Sequence, residues 1–477
     1  MYKYIIKQTT INNKIDKDDT DVTADTADTA DTNVTIVEKT DTSAINVSKL
    51  PIIKPSIINT NVNGFSTIMS INLVYVNKLN KCKDKISKFK GNEWEELKKL
   101  SNPYEYIYIF NYKNQYTGIA KVKPLSRSFF KMIEMGNDFL GSLKKKKNFK
   151  SLHLAEGPGG FIEAVRYIRG DLGINDQHFG ITLIDKRKSV PCWSQSAQFL
   201  VNNPQVKILY GADGTGNLYN TDNILNVIKC VTCVTCVTGT SGAANADASI
   251  GDESMDNKCD LITGDGGFDF SVDYNYQEQA SSKLIFAQII CALKCLRVSD
   301  NSVFICKIFD MSNYLTVELI YLISLFFKSV VLYKPVTSRV ANSEKYIVCT
   351  GFLGCSDEYW QQLLEVLNYW NKIEKEYDDK KKANTINFIF ETIETDFVLL
   401  IKKINMEIID IQIESITKTV EIAKKGVLHN CNYSNDSSDY RNYSSYSSAC
   451  NNEWYGKNKK MQIEKAKEWC AKNGIPH

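Results

Sequence analysis

At 477 residues with 43% hydrophobic side chains, the chain is long enough to bury a substantial core, which excludes a small disulfide-stapled scaffold. A net charge of +3 excludes whole-molecule electrostatic attachment to nucleic acid, so any such contact must come from local clusters. Fourteen cysteines behind an N-terminus with no apolar leader predict reduced thiols in an intracellular compartment, nucleus or cytoplasm, and four histidines without HExxH leave a zinc site little to draw on.

Residues 1–60 are rich in Asp, Thr and Asn and repeat AspThrAla at Asp25, Asp28 and Asp31, a composition that predicts a disordered low-complexity extension. Residues 61–120 read as an α/β accessory region. From 121 to 355 short apolar runs alternate with longer amphipathic ones, the pattern of βαβ units around a largely parallel sheet. Ser151 to Ala155 is a predicted strand, followed by a glycine-rich turn and a helix from Phe161 to Arg169. Further strands are predicted at Phe179 to Ile184, Val206 to Tyr210 and Cys259 to Thr263. A low-complexity insertion at 220–256 precedes the last of these, with Cys230, Cys233 and Cys236 in a ValThrCys repeat. Without a partner pair this is not a four-ligand set, so tandem expansion is preferred to zinc and no metal is expected.

Leu284, Ile285, Ile289, Leu293 and Leu296 recur at helical spacing and predict a helix from Gln277 to Arg297. A strand from Ser302 to Phe309, a helix from Tyr314 to Lys328 and strands Ser329 to Tyr333 and Glu344 to Thr350 complete the domain. The apolar run around Leu315 to Phe327 contains Glu318 and is too short to cross a bilayer, so no membrane partner is expected. Residues 356–429 read as a helical extension, and 430–477 as a Ser/Asn/Tyr linker ending in a short helix.

Several charged residues stand where packing alone would not put them. GluGlyProGlyGlyPhe, Glu156 to Phe161, occupies the first strand-to-helix turn, where a ligand can approach the backbone. It lacks GxGxxG spacing, and Glu156 would repel a pyrophosphate, so the turn suits a cofactor with a cationic or neutral face. Taken alone it is equally a structural turn. Asp185 and Asp213 follow the next two strands, where carboxylates meet ribose hydroxyls and an adenine amine, or simply cap turns. Lys307 interrupts Val303, Phe304, Ile305, Cys306, Ile308 and Phe309, a strand apolar on both faces, so its ammonium must snorkel to the surface or enter a polar cleft. Asp265, ending the preceding strand, would open into that cleft. Arg127, Arg339 and Lys144 to Lys147 with Lys150 are cations available to RNA phosphates, although a lysine run is ordinarily a solvated face.

The segments at 126–131, 156–161, 264–274, 305–310 and 334–349 resemble those of the FtsJ-like (RrmJ-like) ribose 2′-O-methyltransferases. They are most similar to the cap-specific mRNA (nucleoside-2′-O-)-methyltransferases, through GlyAlaAspGlyThrGlyAsn at 211–217, GlyGlyPheAspPheSerValAspTyrAsn at 266–275 and LysProValThrSerArgValAlaAsnSerGluLysTyr at 334–346. The resemblance implies an α/β, Rossmann-like sheet with helices on both faces and a helical C-terminal extension. It places a catalytic tetrad on Lys131, Asp265, Lys307 and Glu344. S-adenosyl-L-methionine would lie against Glu156, Gly157, Pro158, Gly159, Gly160 and Phe161, with Asp185 and Asp213 at the adenosine. Arg127, Arg339, Asn342 and Ser343 would face substrate RNA. Capped RNA is the implied partner, with capping or transcription machinery as a further partner class. An rRNA or tRNA ribose methyltransferase and a catalytically silent RNA- or cap-binding module remain alternatives. Lys307 is either a neutral general base or a cation that orients the hydroxyl: burial and Lys131 push its pKa down, while Asp265 and Glu344 push it up.

Overall fold

The computed structural model describes residues 2–8, 38–39, 50–61, 69–89, 93–111, 113–187, 190–233, 257–267, 277–375, 382–424 and 453–477. The N-terminal part supplies strands β1 (Tyr2–Gln8), β2 (Glu38–Lys39) and β3 (Ile53–Asn61), then helices α1 (Leu73–Lys83) and α2 (Glu93–Ser101). Helix α3 (Ser128–Phe139) leads into the repeating units β4 (Lys150–Leu154), α4 (Gly160–Arg169), β5 (Gln177–Ile181), α5 (Ala197–Asn202), β6 (Val206–Leu209) and α6 (Thr221–Thr232). The second half runs β7 (Leu261–Gly264), α7 (Gln277–Cys295), β8 (Ser299–Ile308), α8 (Tyr314–Leu325), β9 (Phe327–Lys334) and β10 (Lys345–Phe352). Helix α9 (Asp357–Lys375), strand β11 (Lys382–Phe390), the long helix α10 (Thr395–Lys424) and helix α11 (Glu453–Lys472) follow.

One nine-stranded sheet has the order β2-β1-β9-β10-β8-β7-β4-β5-β6. Strands β6, β5, β4, β7 and β8 are mutually parallel, and β10 inserts antiparallel between β8 and β9. The chain winds outward from β4 through β5 to β6, then returns to add β7 on the other side of β4. Such a reversal of strand order is where open α/β sheets offer a ligand crevice, here at the carboxyl ends of β4 and β7. Alternate residues serve two cores. Leu152, Leu154, Phe304 and Cys306 pack with α6, α7, α8 and α9, whereas Leu261, Val303, Ile305 and Val348 pack with α3, α4 and α11. This is the expected Rossmann-like α/β sheet covered on both faces, with a largely helical C-terminal extension.

Three expectations need correction. The composition of 1–60 predicted a disordered extension, yet β1 pairs antiparallel with β9 and buries Tyr2, Tyr4 and Ile6. Strand β3, at the far end of the same stretch, pairs with β11 in a separate two-stranded sheet. The period-2 alternation of Tyr2, Tyr4 and Ile6 gives β1 a face to bury, which the surrounding composition conceals. The AspThrAla repeat lies outside the described residues. The insertion at 220–256 begins as helix α6, whose Ile224, Val227, Ile228 and Val231 are buried, and residues 234–256, with Cys236, lie outside the described set. The extension at 356–429 contains β11 as well as helices. The linker at 430–452 lies outside the described residues, and no helix among those described is long and apolar enough to cross a membrane.

Candidate active site

Lys307 follows the parity of Val303 and Ile305, so β8 aims it toward the α3 and α4 face at the carboxyl end of the sheet. It does not snorkel. Its Nζ lies 3.2 Å from Asp265 Oδ1 and donates to the Asp265 carbonyl at 2.7 Å, just beyond β7. In the second turn of α3, Lys131 Nζ lies 2.7 Å from Oε1 of Glu344, the residue preceding β10. The four side chains keep only 11 to 16% exposure, enough to open on the crevice without leaving it. Thus α3, β7, β8 and the start of β10 bring together four residues from widely separated parts of the chain.

The charges are interdependent. Burial pushes the Lys307 ammonium down, but Asp265, Glu344 and Glu156 outweigh it and leave the pKa raised, so Lys307 is charged at neutral pH. Burial pushes Glu344 up, but Lys131, Lys307 and Lys334 pull it down to about 2. Lys334 itself is lowered to about 7 by burial and by Lys345, and its Nζ donates to the carbonyls of Asn342 and Glu344, each at 2.6 Å.

Beside this cluster, the turn at 156–159 cradles the start of α4. Glu156 Oε1 accepts from the Phe161 amide at 2.6 Å, while its buried Oε2 has no hydrogen-bond partner among the described residues. Burial and the neighbouring Asp265 raise its pKa well above the carboxylate range. A ligand that brings a hydrogen-bond donor or a cation would pair this oxygen and draw the carboxyl back toward its ionised form. Gly159 adopts φ +105°, and a Cβ on Gly160 would stand 2.2 Å from both Ser126 Oγ and Ser128 Oγ. The second glycine is what lets α3 and α4 meet closely enough to carry Lys131 over the cradle. The orphaned Glu156 oxygen fits S-adenosyl-L-methionine, whereas the glycines answer contacts within the protein. Phe161 contributes its amide, its ring being buried against Tyr346, and the Pro158 carbonyl accepts from Ser196. A Cβ on Gly157 would meet the Pro191 carbonyl at 2.8 Å.

Other expected contacts are placed differently. Asp185 lies beyond the end of β5, partly exposed, and forms a 2.6 Å pair with the exposed Arg187 that a ligand could displace at little cost. Asp213, beyond β6, accepts from Thr215 N and Oγ1, Asn220 and Asn223 at 2.7 to 2.9 Å, which leaves capacity for a ligand only on Oδ2. Arg127 and Arg339 converge on one buried carboxylate, Glu105, at 3.2 and 2.7 Å, and Arg339 also meets Glu95 at 3.2 Å. Both guanidiniums are engaged in holding α3 and the β9–β10 loop to the N-terminal segment. Ser343 is buried with its hydroxyl on Gln277, whereas Asn342 is partly exposed. The basic run is spent or misplaced. Lys146 pairs with Asp260 and Lys150 with backbone carbonyls, and the run precedes β4, at the amino end of the parallel strands and so away from their carboxyl ends.

Tyr346, Ser338 and Trp193 are contributors the sequence did not single out. Tyr346 Oη donates to Asp265 Oδ1 at 2.9 Å, and Ser338 Oγ to Glu344 Oε1 at 2.9 Å. The available signal was parity, since Glu344 and Tyr346 stand two apart at the start of a strand. Trp193 covers Gly159, its ring 3.3 Å from where a Cβ would be. Among the described residues no group of three or more His, Cys, Asp or Glu is placed to hold a metal ion.

Residues 124–352 match the model of the FtsJ-like methyltransferase family. Over 294 residues, 60% of this chain and 32% of the relative, there is 30% identity to the cap-specific mRNA (nucleoside-2′-O-)-methyltransferase 1 of Bos taurus. The proteins of the same name from Leishmania braziliensis and Trypanosoma cruzi are 33% and 32% identical over 227 and 216 residues, covering 47% and 44% of this chain and 49% and 51% of theirs. The chain therefore spans between a third and half of the length of these curated relatives.

Proposed function

We propose, from the premise that residues 124–352 form an FtsJ-like methyltransferase domain, that the protein moves a methyl group from S-adenosyl-L-methionine to the ribose 2′-hydroxyl of a cap-proximal mRNA nucleotide. One observation carries the chemistry: two amine–carboxylate pairs, Lys131–Glu344 and Lys307–Asp265, converge on a crevice beside the orphaned Glu156 oxygen. The names of the relatives support the choice of capped RNA as substrate.

A ribose hydroxyl is a weak nucleophile, so the site has to align it and manage its proton. The cofactor supplies a methyl group already activated on a sulfonium. Asp265 fixes Lys307 from below, with Tyr346 fixing Asp265 in turn, so the ammonium is held to a single direction. Lys131, pinned by Glu344, presents a second cation on the α3 side. Because Lys307 rests as an ammonium, it orients the hydroxyl oxygen and stabilises the negative charge that develops there, while the hydroxyl proton passes to solvent water as the oxygen takes the methyl group and the donor departs as a neutral thioether. A general-base role would require the neutral amine, which the Asp265 and Glu344 carboxylates oppose.

Methyl transfer to capped and uncapped short RNA, with wild type beside Lys307→Ala, tests the proposal. Transfer to capped RNA alone, lost in the variant while cofactor binding persists, is expected. Equal transfer to uncapped RNA would move the substrate to the rRNA or tRNA class. An inactive wild type that still binds RNA would make the domain a silent binding module.

A further inference from the structure

A fifth charged residue, outside the tetrad, joins the pieces of chain that carry it. Glu134 is one helical turn beyond Lys131 on α3 and is buried, with 6% exposure. Its Oε1 accepts from the Val336 amide at 2.9 Å, and its Oε2 from Thr337 Oγ1 at 3.4 Å and Trp469 Nε1 at 3.3 Å. The Tyr333 hydroxyl on β9 lies 2.9 Å from Oε1 and 2.8 Å from Asp138, and its single proton serves one carboxyl at a time. A buried carboxyl is costly in a core that apolar residues would fill more cheaply, and here every donor comes from a segment far away in sequence.

Those segments lead back to the site. Val336 and Thr337 belong to the β9–β10 loop, whose next residue, Ser338, donates to Glu344, and Glu344 pairs with Lys131 on α3. The path from Lys131 through Glu344, Ser338 and Thr337 therefore returns through Glu134 to the helix it started from. Trp469 adds the C-terminal helix α11 to this ring. The same helix also reaches the middle of the loop: Gln462 Nε2 donates to the Asn102 carbonyl at 2.7 Å, Asn102 Nδ2 donates to Glu105 at 2.6 Å, and Glu105 holds Arg339.

We propose that Glu134 is a positioning residue that clamps the β9–β10 loop and the C-terminal helix to the turn of α3 carrying Lys131, and so sets the spacing of Lys131 to Glu344. The inference rests on the proposed methyl transfer for its kinetic readout only, because the clamp has a structural readout of its own.

Glu134→Ala, the near-isosteric Glu134→Gln and Trp469→Phe, which removes one donor and keeps the packing, are compared with the full-length wild type by amide hydrogen exchange and by transfer kinetics. In Glu134→Ala and, to a smaller extent, Trp469→Phe, exchange should accelerate across 335–341 and stay unchanged in β4 and β7. Over the same variants kcat should fall, by about tenfold for Glu134→Ala, with KM for the cofactor within about twofold and most of the rate restored in Glu134→Gln. Unchanged exchange at 335–341 overturns the clamp, as does acceleration spread evenly over the sheet, which marks a merely structural role. Accelerated exchange with an unchanged kcat overturns the link to Lys131. Should Glu134→Ala fail to fold, the other two variants decide. If the wild type methylates no RNA, the functional proposal fails while the exchange comparison still decides the clamp.

Discussion

Replacing Lys131 with methionine removes the cation 2.7 Å from Glu344 and keeps most of the apolar stem. Glu344 is held at about 2 against an ordinary 4.5, which at ~1.4 kcal/mol per tenfold is worth about 3 kcal/mol for the ionised form in the folded protein. Lys131 is the first of three cations responsible, and its loss leaves Lys307, Lys334 and Ser338 in place. The expected cost of Lys131→Met is therefore about 1–2 kcal/mol of folding stability, below the ~3–5 kcal/mol of a fully buried pair that loses a partner. Because the carboxyl is depressed, its contribution is complete above about pH 4.5 and is lost as pH falls toward about 2. Urea unfolding of wild type and variant should show a constant gap between about pH 7 and about pH 5 that closes below. A gap that persists unchanged to about pH 2, or no gap at neutral pH, would refute the reasoning.

Tyr346→Phe deletes the hydroxyl that donates to Asp265 and leaves the ring in place, so single-turnover transfer should slow about tenfold; an unchanged rate would mean Asp265 is fixed without it. Gly160→Ala forces a Cβ against Ser126 and Ser128 and should destabilise the domain by about 1–3 kcal/mol in thermal unfolding, whereas tolerance would show that α3 can slide away. The raised pKa of Lys307 contributes stability that is complete below its ordinary 10.5 and is lost only at higher pH, so the stability gap to Lys307→Met should be flat between about pH 6 and about pH 9. An orienting ammonium also gives a flat kcat across that window, while a rate climbing about tenfold per pH unit would identify a neutral-amine base.

The parallel half of the sheet was legible because its apolar runs and helical periods are local signals, and β4, α4 and β8 lie within a few residues of their expected positions. Lys307 was legible for the same reason, as the one polar interruption of a doubly covered strand. Asp265 was expected in the same cleft from its place at the end of the preceding strand, whereas Lys131 and Glu344 joined the set only through resemblance, since no spacing rule brings their segments together. Non-local pairing is also what hid β1, which meets β9 across most of the chain, inside a stretch whose average composition pointed the other way. Arg127 and Arg339 each looked like a cation available to RNA because nothing near Glu105 announces a buried carboxylate. Asp213 was the opposite case: Thr215, Asn220 and Asn223, all close in sequence, already mark a self-satisfied turn. Glu134 stood in view at helical spacing from Lys131, but its burial depends on a helix more than three hundred residues away.

The most direct measurement of the central claim uses capped RNA lacking the 2′-hydroxyl at its first, its second or both cap-proximal nucleotides, with labelled S-adenosyl-L-methionine as donor. If the paired amines and acids hold that hydroxyl for methylation, label transfer falls to background on the doubly deoxy substrate, and one singly deoxy substrate identifies the accepting position. Undiminished labelling of the doubly deoxy RNA would contradict the account, since the methyl group would then be going to an atom this site was not built to hold.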